Sequence, residues 1–187
     1  MKNYKKNTSG LILIDALMAM GILVVGVVII GGLINGGVRI MTYSKNNLIA
    51  QNLATEVVEA VKNVYNSNLL LHADDPGCWL ELDPDEDIGC IFKVEIGDHY
   101  VPEEAAGGGW KLTEVLGVLD LSDSISDEGF RLDADSIFYR EINVMNLVDS
   151  EPDGVDDYAE FEVVVEWMEG RVIRSIRRIF TLFNDIQ

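Results

Sequence analysis

Few residues of this chain have the type and setting to do chemistry, and the most isolated of them is Asp15. It is the only ionisable side chain between Leu11 and Ile34, a run reading LILIDALMAMGILVVGVVIIGGLI. An acid inside so apolar a segment is costly to hold in lipid, about 2.5 to 3.5 kcal/mol at the centre of a bilayer, so such groups are usually kept for a partner. Near the cytoplasmic end the cost is smaller, and a carboxylate that snorkels to the interface is the other reading. A second group is the acidic dozen from Asp149 to Glu160. It places Asp149, Glu151, Asp153, Asp157 and Glu160 at positions 1, 3, 5, 9 and 12, with Gly154 at position 6, the oxygen-rich spacing of a calcium loop. Glu151 at position 3, Pro152, Asp156 and a following strand depart from that pattern, and a solvated acidic turn that binds nothing is the other reading. Cys78 and Cys90 are the only cysteines. In an oxidising compartment they would bridge, closing a short loop worth about 3 kcal/mol, and free thiols are the alternative. Without a further Cys pair or a neighbouring His they make a poor zinc site. His72 and His99 have no hydrolase, zinc-protease or phosphate-loop motif beside them, so catalysis and a resident cofactor are not expected.

The elements that must position these residues begin with the apolar run. A hydrocarbon core of ~30 Å needs about 20 apolar residues as a helix, and Leu11 to Ile34 satisfies it. Lys2, Lys5 and Lys6 precede it, which by the positive-inside rule keeps the N-terminus in the cytoplasm and the acidic body outside. A secretory signal has a shorter core and a small-residue cleavage site, which Gly-Gly-Leu-Ile-Asn-Gly-Gly does not supply. The net charge of −18 repels phosphate backbones, so nucleic acid is a poor partner.

No proline interrupts Leu11 to Leu71, and Ala50, Leu53, Ala54, Val57, Val61 and Val64 recur at three and four residues. That spacing predicts one long helix: residues 11–37 the membrane half, residues 38–71 an amphipathic half packed on a soluble domain. Gly21, Gly26, Gly31, Gly32, Gly36 and Gly37 offer close-packing sites for neighbouring helices, or a point of unwinding between Gly31 and Gly37. Residues 72–136 lose periodicity and are rich in turn signals, with Ile91 to Ile96 a short strand and Trp110 to Leu121 a short helix or strand. Residues 137–187 read as an antiparallel meander. Its first strand is Ile137 to Leu147; Phe161, Val163, Val165 and Trp167 then alternate with Glu160, Glu162 and Glu166, and Val172, Ile176 and Phe180 return to the same core. With Glu169 and Gly170 as the turn, Glu162 falls opposite Arg177. The predicted class is α+β, a long N-terminal helix on a small antiparallel sheet.

The junction Ser9-Gly10-Leu11 narrows this further. A basic leader (residues 1–10), Gly10, an apolar residue and an acid at the fifth position of the product resemble the leader of type IV prepilins and pseudopilins. The helix IAQNLATEVVEAVKN and the Trp-x-x-Gly-Arg return are similar to PilV-type minor pilins and to the I-type pseudopilins of type II secretion. The resemblance implies a pilin-like fold, with Gly10 the recognition residue of the prepilin peptidase, Leu11 the N-methylated new terminus and Asp15 the fifth-position acid, where the family usually has glutamate. It implies assembly with other pilin-like subunits on an inner-membrane platform, first as a single-pass protein of the cytoplasmic membrane and then in an extracellular filament. Buried in such a filament, the terminal amine and a neighbour's carboxylate would each be costly alone and compensate one another when paired. The alternative is a single-pass protein that never polymerises and whose acidic external domain binds a partner or calcium.

Overall fold

The computed structural model describes residues 9–72, 76–82, 93–105, 108–115, 136–149 and 157–184. One helix, α1 (Ser9–Leu71), precedes five strands: β1 (His99–Glu104), β2 (Trp110–Glu114), β3 (Phe138–Val148), β4 (Tyr158–Glu169) and β5 (Val172–Phe183). The strands form one antiparallel sheet in the order β2-β1-β3-β4-β5. The class is α+β, as the sequence predicts. The chain divides into two compact units between Asn46 and Asn47, inside α1.

In the first unit α1 runs without a break through all six glycines. Gly31 to Gly37 is helical, and a Cβ added at any of these glycines would meet nothing within 4 Å. From Leu13 to Lys45 every residue except Gly26 is exposed.

In the second unit the rest of α1 is half of the core. Ala50, Leu53, Ala54, Val57, Val61 and Val64 are buried against Tyr100, Leu112, Phe138, Ile142, Val144, Ala159, Phe161, Val163, Val165, Trp167 and Leu182. These helix positions are the ones whose spacing puts them on a single stripe, and the small alanines let the helix approach the sheet. The helix ends at Leu71, and the N–H of the next residue, His72, makes a last bond to the Asn68 carbonyl (2.9 Å).

β4 is the central strand of the β3-β4-β5 meander, and its alternation decides which face meets the helix. Phe161, Val163, Val165 and Trp167 do so as predicted. The opposite face is less open than its glutamates suggest: Val164 is buried with Val101, beside Val115 and Tyr139, and Glu162 is 9% exposed. The β4–β5 register differs from the expected one by two residues. The turn is Gly170-Arg171, so Glu169 pairs with Val172, Glu162 lies opposite Ile179, and Arg177 lies opposite Val164. Gly170 has φ +66° at the first central position, the left-handed geometry that a type II′ hairpin turn asks of a glycine. Glu162 and Arg177 still meet as diagonal neighbours at 3.3 Å. Ile176 and Phe180 pack on the core, but Val172, next to the turn, is exposed.

Within 72–136 the strands are only partly those expected. Trp110–Glu114 is β2. In the proposed Ile91 to Ile96 strand, Ile91 and Phe92 lie outside the described residues, and Lys93 makes an isolated bridge to Glu81. β1 carries Pro102, which has no N–H for a ladder. β1 pairs with β3 only at His99 and Tyr100, so Pro102 sits where that ladder has ended. Its carbonyl accepts a hydrogen bond from Arg140 Nη2 (3.0 Å).

Candidate functional site

The surface that most requires a partner is the first part of α1. Leu13, Ile14, Leu17, Met18, Ile22, Leu23, Val27, Ile30 and Leu33 are between 57% and 72% exposed, and they point to every side of the helix. None of the most apolar 18-residue window is buried, and by length and composition the helix can cross a membrane once. Soluble monomers rarely expose contiguous apolar patches beyond a few hundred Å². Gly10 and Leu11 lie in the first turns of α1. Asp15 is exposed on the same helix, among apolar neighbours one and two turns along it.

Arg39, Thr42, Tyr43 and Lys45 follow the apolar run, all of them exposed. The Thr42 hydroxyl donates to the Val38 carbonyl (3.1 Å), a bond that lets a polar side chain sit on the helix without an outside partner. Tyrosine and basic residues at this point of a span are those that favour a membrane–water boundary.

On the second unit, two polar arrangements go beyond the Glu162–Arg177 pair that the sequence predicts. The first crosses the sheet face away from α1. His99 lies directly opposite Asn143, and Asn143 opposite Glu162. His99 Nδ1 meets Asn143 Oδ1 at 2.6 Å and the carboxylate of buried Glu141. Both are acceptors, so the proton belongs on Nδ1. Asn143 Nδ2 donates to Glu162 (3.4 Å), and Glu162 accepts from Arg177 Nη1 (3.3 Å). This ladder joins β1, β3, β4 and β5 and favours one register over its neighbours. His99 thus begins a strand and is largely buried. The signal available was the alternation of His99, Val101 and Glu103 with Tyr100, broken by Pro102.

The second arrangement closes the end of α1. Asn68 is 1% exposed, and its Nδ2 donates to the carbonyls of Trp79 (3.2 Å) and Glu81 (2.9 Å). His72 Nε2 lies 3.1 Å from the buried Glu81 carboxylate, and the Tyr65 ring meets Trp79 edge-on. Cys78, 1% exposed, is disulfide-bonded. Cys90 lies outside the described residues. A small cavity lined by Val61, Val64, Tyr65, Trp79, Glu81 and Phe161 sits beneath this turn, with room for about a water molecule (10 Å³).

Of the acidic dozen, Glu151 and Asp153 lie outside the described residues. Asp157 begins the return into β4, its N–H bonded to the Val148 carbonyl (2.6 Å), and Asp149 directly follows β3. Glu160 stands in the β4 ladder opposite Asn146 and Thr181. Among the described residues no group of three or more His, Cys, Asp or Glu is placed to hold a metal ion.

Comparison with protein-family models, with curated protein sequences and with solved structures finds no match for this chain.

Proposed function

We propose that this chain is a structural subunit of a filament of the type IV pilus or type II secretion kind, a minor pilin or pseudopilin. It is cleaved after Gly10 and assembled through the apolar part of α1. The observation that supports the reading best is that one unbroken helix carries two different surfaces. From Leu13 to Lys45 it is exposed and largely apolar, while from Ala50 onward its apolar stripe is core to a sheet. A simple anchor needs only the first of these. A subunit that must leave lipid and stack against others needs both, the apolar part for assembly and the buried stripe to hold its folded domain.

In this reading Leu11 becomes the terminus and its amine is compensated by Asp15 of a neighbouring subunit. An amine and a carboxylate withdrawn from water are each costly, so the pair ties docking to one axial register. Before assembly the helix spans the cytoplasmic membrane once, with its basic leader inside. The prepilin peptidase, other pilin-like subunits and the membrane assembly platform are its partners.

N-terminal sequencing of the protein extracted from membranes of a host that contains the peptidase tests this directly. Methylated Leu11 is the expected result. An intact Met1 would leave only a tethered acidic domain. Asp15→Asn should insert as wild type and enter filaments poorly; wild-type incorporation would end the pairing argument.

A further inference from the structure

β5 is an edge strand, and it is an unusually unprotected one. It is 12 residues long, contains no proline and pairs with β4 along its whole length without a bulge. Natural edges are ordinarily shortened, bulged or covered, because a long free edge presents unpaired N–H and C=O groups to any other strand. Among the described residues no strand lies on the far side of β5.

Which backbone groups are free follows from the ladder. The two-residue turn closes on the pair Glu169–Val172, and beyond the far end Asn184 N–H bonds to the Asp157 carbonyl (2.7 Å). Hydrogen-bonded pairs alternate in an antiparallel ladder, so the even-numbered residues of β5 bond to β4. Ile173, Ser175, Arg177, Ile179 and Thr181 therefore turn their N–H and C=O outward. The next carbonyl of that series, Phe183, accepts from the Tyr65 hydroxyl (2.7 Å), which marks where the open stretch ends.

The side chains say what would dock there. Residues 172–183 carry Arg174, Arg177 and Arg178 and not one acid, with Arg171 in the turn, in a chain of net charge −18. Arg174 and Arg177 reach Glu169 and Glu162 at 3.3 Å yet keep 45% and 61% of their side-chain surface in water, where a partner's carboxylate can approach. Ile179 and Ile173 are 60% and 40% exposed. A second copy of β5 is a poor occupant, since antiparallel self-pairing sets these arginines against one another. The opposite edge of another copy is poor too, because the Leu112 N–H of β2 is already bonded to the Leu82 carbonyl (2.9 Å).

We propose that the free edge of β5 is a docking site for an extended acidic segment of a different polypeptide, which adds to the sheet as a further strand. Main-chain hydrogen bonds to the outward groups provide the binding; Arg174 and Arg178 on one face of β5 select acidic residues, and Ile173 and Ile179 on the other select the apolar residues that alternate with them. The inference stands whether or not the chain polymerises.

Amide hydrogen exchange on the full chain in uncharged detergent micelles tests it, with a capped ten-residue peptide of alternating glutamate and valine as the probe. The expected result is at least tenfold slower exchange at Ile173, Ser175, Arg177, Ile179 and Thr181, with little change at the even-numbered amides. Ser175→Pro removes one outward donor and no ladder bond, and it should abolish the protection. The surface pair Arg171→Glu with Arg174→Glu should weaken peptide binding at least tenfold. The proposal is overturned by absent protection, or by equal protection from a peptide with lysine in place of glutamate. Protection that grows with protein concentration alone would make a second copy the occupant and overturn it as well.

Discussion

Replacing Val57 by alanine tests whether the second part of α1 is structural core or merely a stalk. Val57 is 0% exposed, between Ala54 and Val61 on the stripe that faces the sheet. Deleting its two methyl groups forfeits about 0.8 kcal/mol each in transfer free energy. The space left behind adds up to ~1 kcal/mol if the helix and sheet do not collapse onto it, at about 24 cal/mol per Å³. The expected loss is therefore about 1.6 to 2.6 kcal/mol, roughly a 15- to 80-fold shift toward the unfolded form. Leu48→Ala is the internal control, because Leu48 lies on the same helix but is 60% exposed, and it should cost less than about 0.5 kcal/mol. All three tryptophans, Trp79, Trp110 and Trp167, lie after residue 46. Urea denaturation in micelles followed by tryptophan fluorescence thus reports the second unit alone, while far-UV circular dichroism retains the micelle-bound helix. Equal effects of the two substitutions would refute the assignment of Val57 to the core. A loss of helix from the micelle at the same midpoint would refute the energetic independence of the two units.

Tyr100 supplies a pH dependence. Burial, opposed by the Glu95 N–H bond to its hydroxyl and reinforced by the charges of Asp98 and Glu114, pushes its pKa from 10.0 up to about 12. The folded state then holds its proton more tightly than the unfolded state, so this contribution is complete below pH 10 and is lost as pH rises from 10 through about 12. Between pH 9 and 11.5 stability should fall by about 2 kcal/mol more in wild type than in Tyr100→Phe, at 1.36 kcal/mol per unit; parallel falls in urea titrations of the two proteins would exclude it. Asn68→Ala leaves the carbonyls of Trp79 and Glu81 without their donor, and should cost about 2 kcal/mol in thermal or urea unfolding. A neutral result would show that water satisfies both carbonyls.

The elements with a clear period were legible in the sequence, and those held by single contacts were not. Ala50 to Val64 and Phe161 to Trp167 each repeat long enough to declare their period and their inner face. The β4–β5 register was not legible, because both Glu169-Gly170 and Gly170-Arg171 are acceptable turns by composition. Only the position at which Gly170 takes its positive φ decides between them. β1 was hidden for another reason. A proline and paired glutamates argue against a strand, and the objection disappears only when the ladder to β3 is seen to stop at Tyr100 while Arg140 takes the Pro102 carbonyl. Burial lowers the pKa of that arginine, and Glu56 of the helix, 3.3 Å away, offsets it, a contact across 84 residues that no local pattern announces.

The same contrast bears on the site. Asp15 and the Gly10-Leu11 junction stand out in the sequence because an apolar run makes any interruption conspicuous, and their roles belong to the proposal above. Beyond its Glu162–Arg177 pair, the His99-Asn143-Glu162-Arg177 ladder was invisible because its members are ordinary polar residues of four strands. Physically the two differ in what they still require. The ladder's members satisfy one another inside a folded unit. Asp15 and the exposed apolar side chains around it have no such closure within the described residues, and hydrophobic burial of this extent cannot be forgone in water. Lipid can take up the apolar side chains but leaves the carboxylate costly. In the proposed assembly a neighbouring helix that brings an amine would do both, and Asp15→Asn is the substitution that tests it.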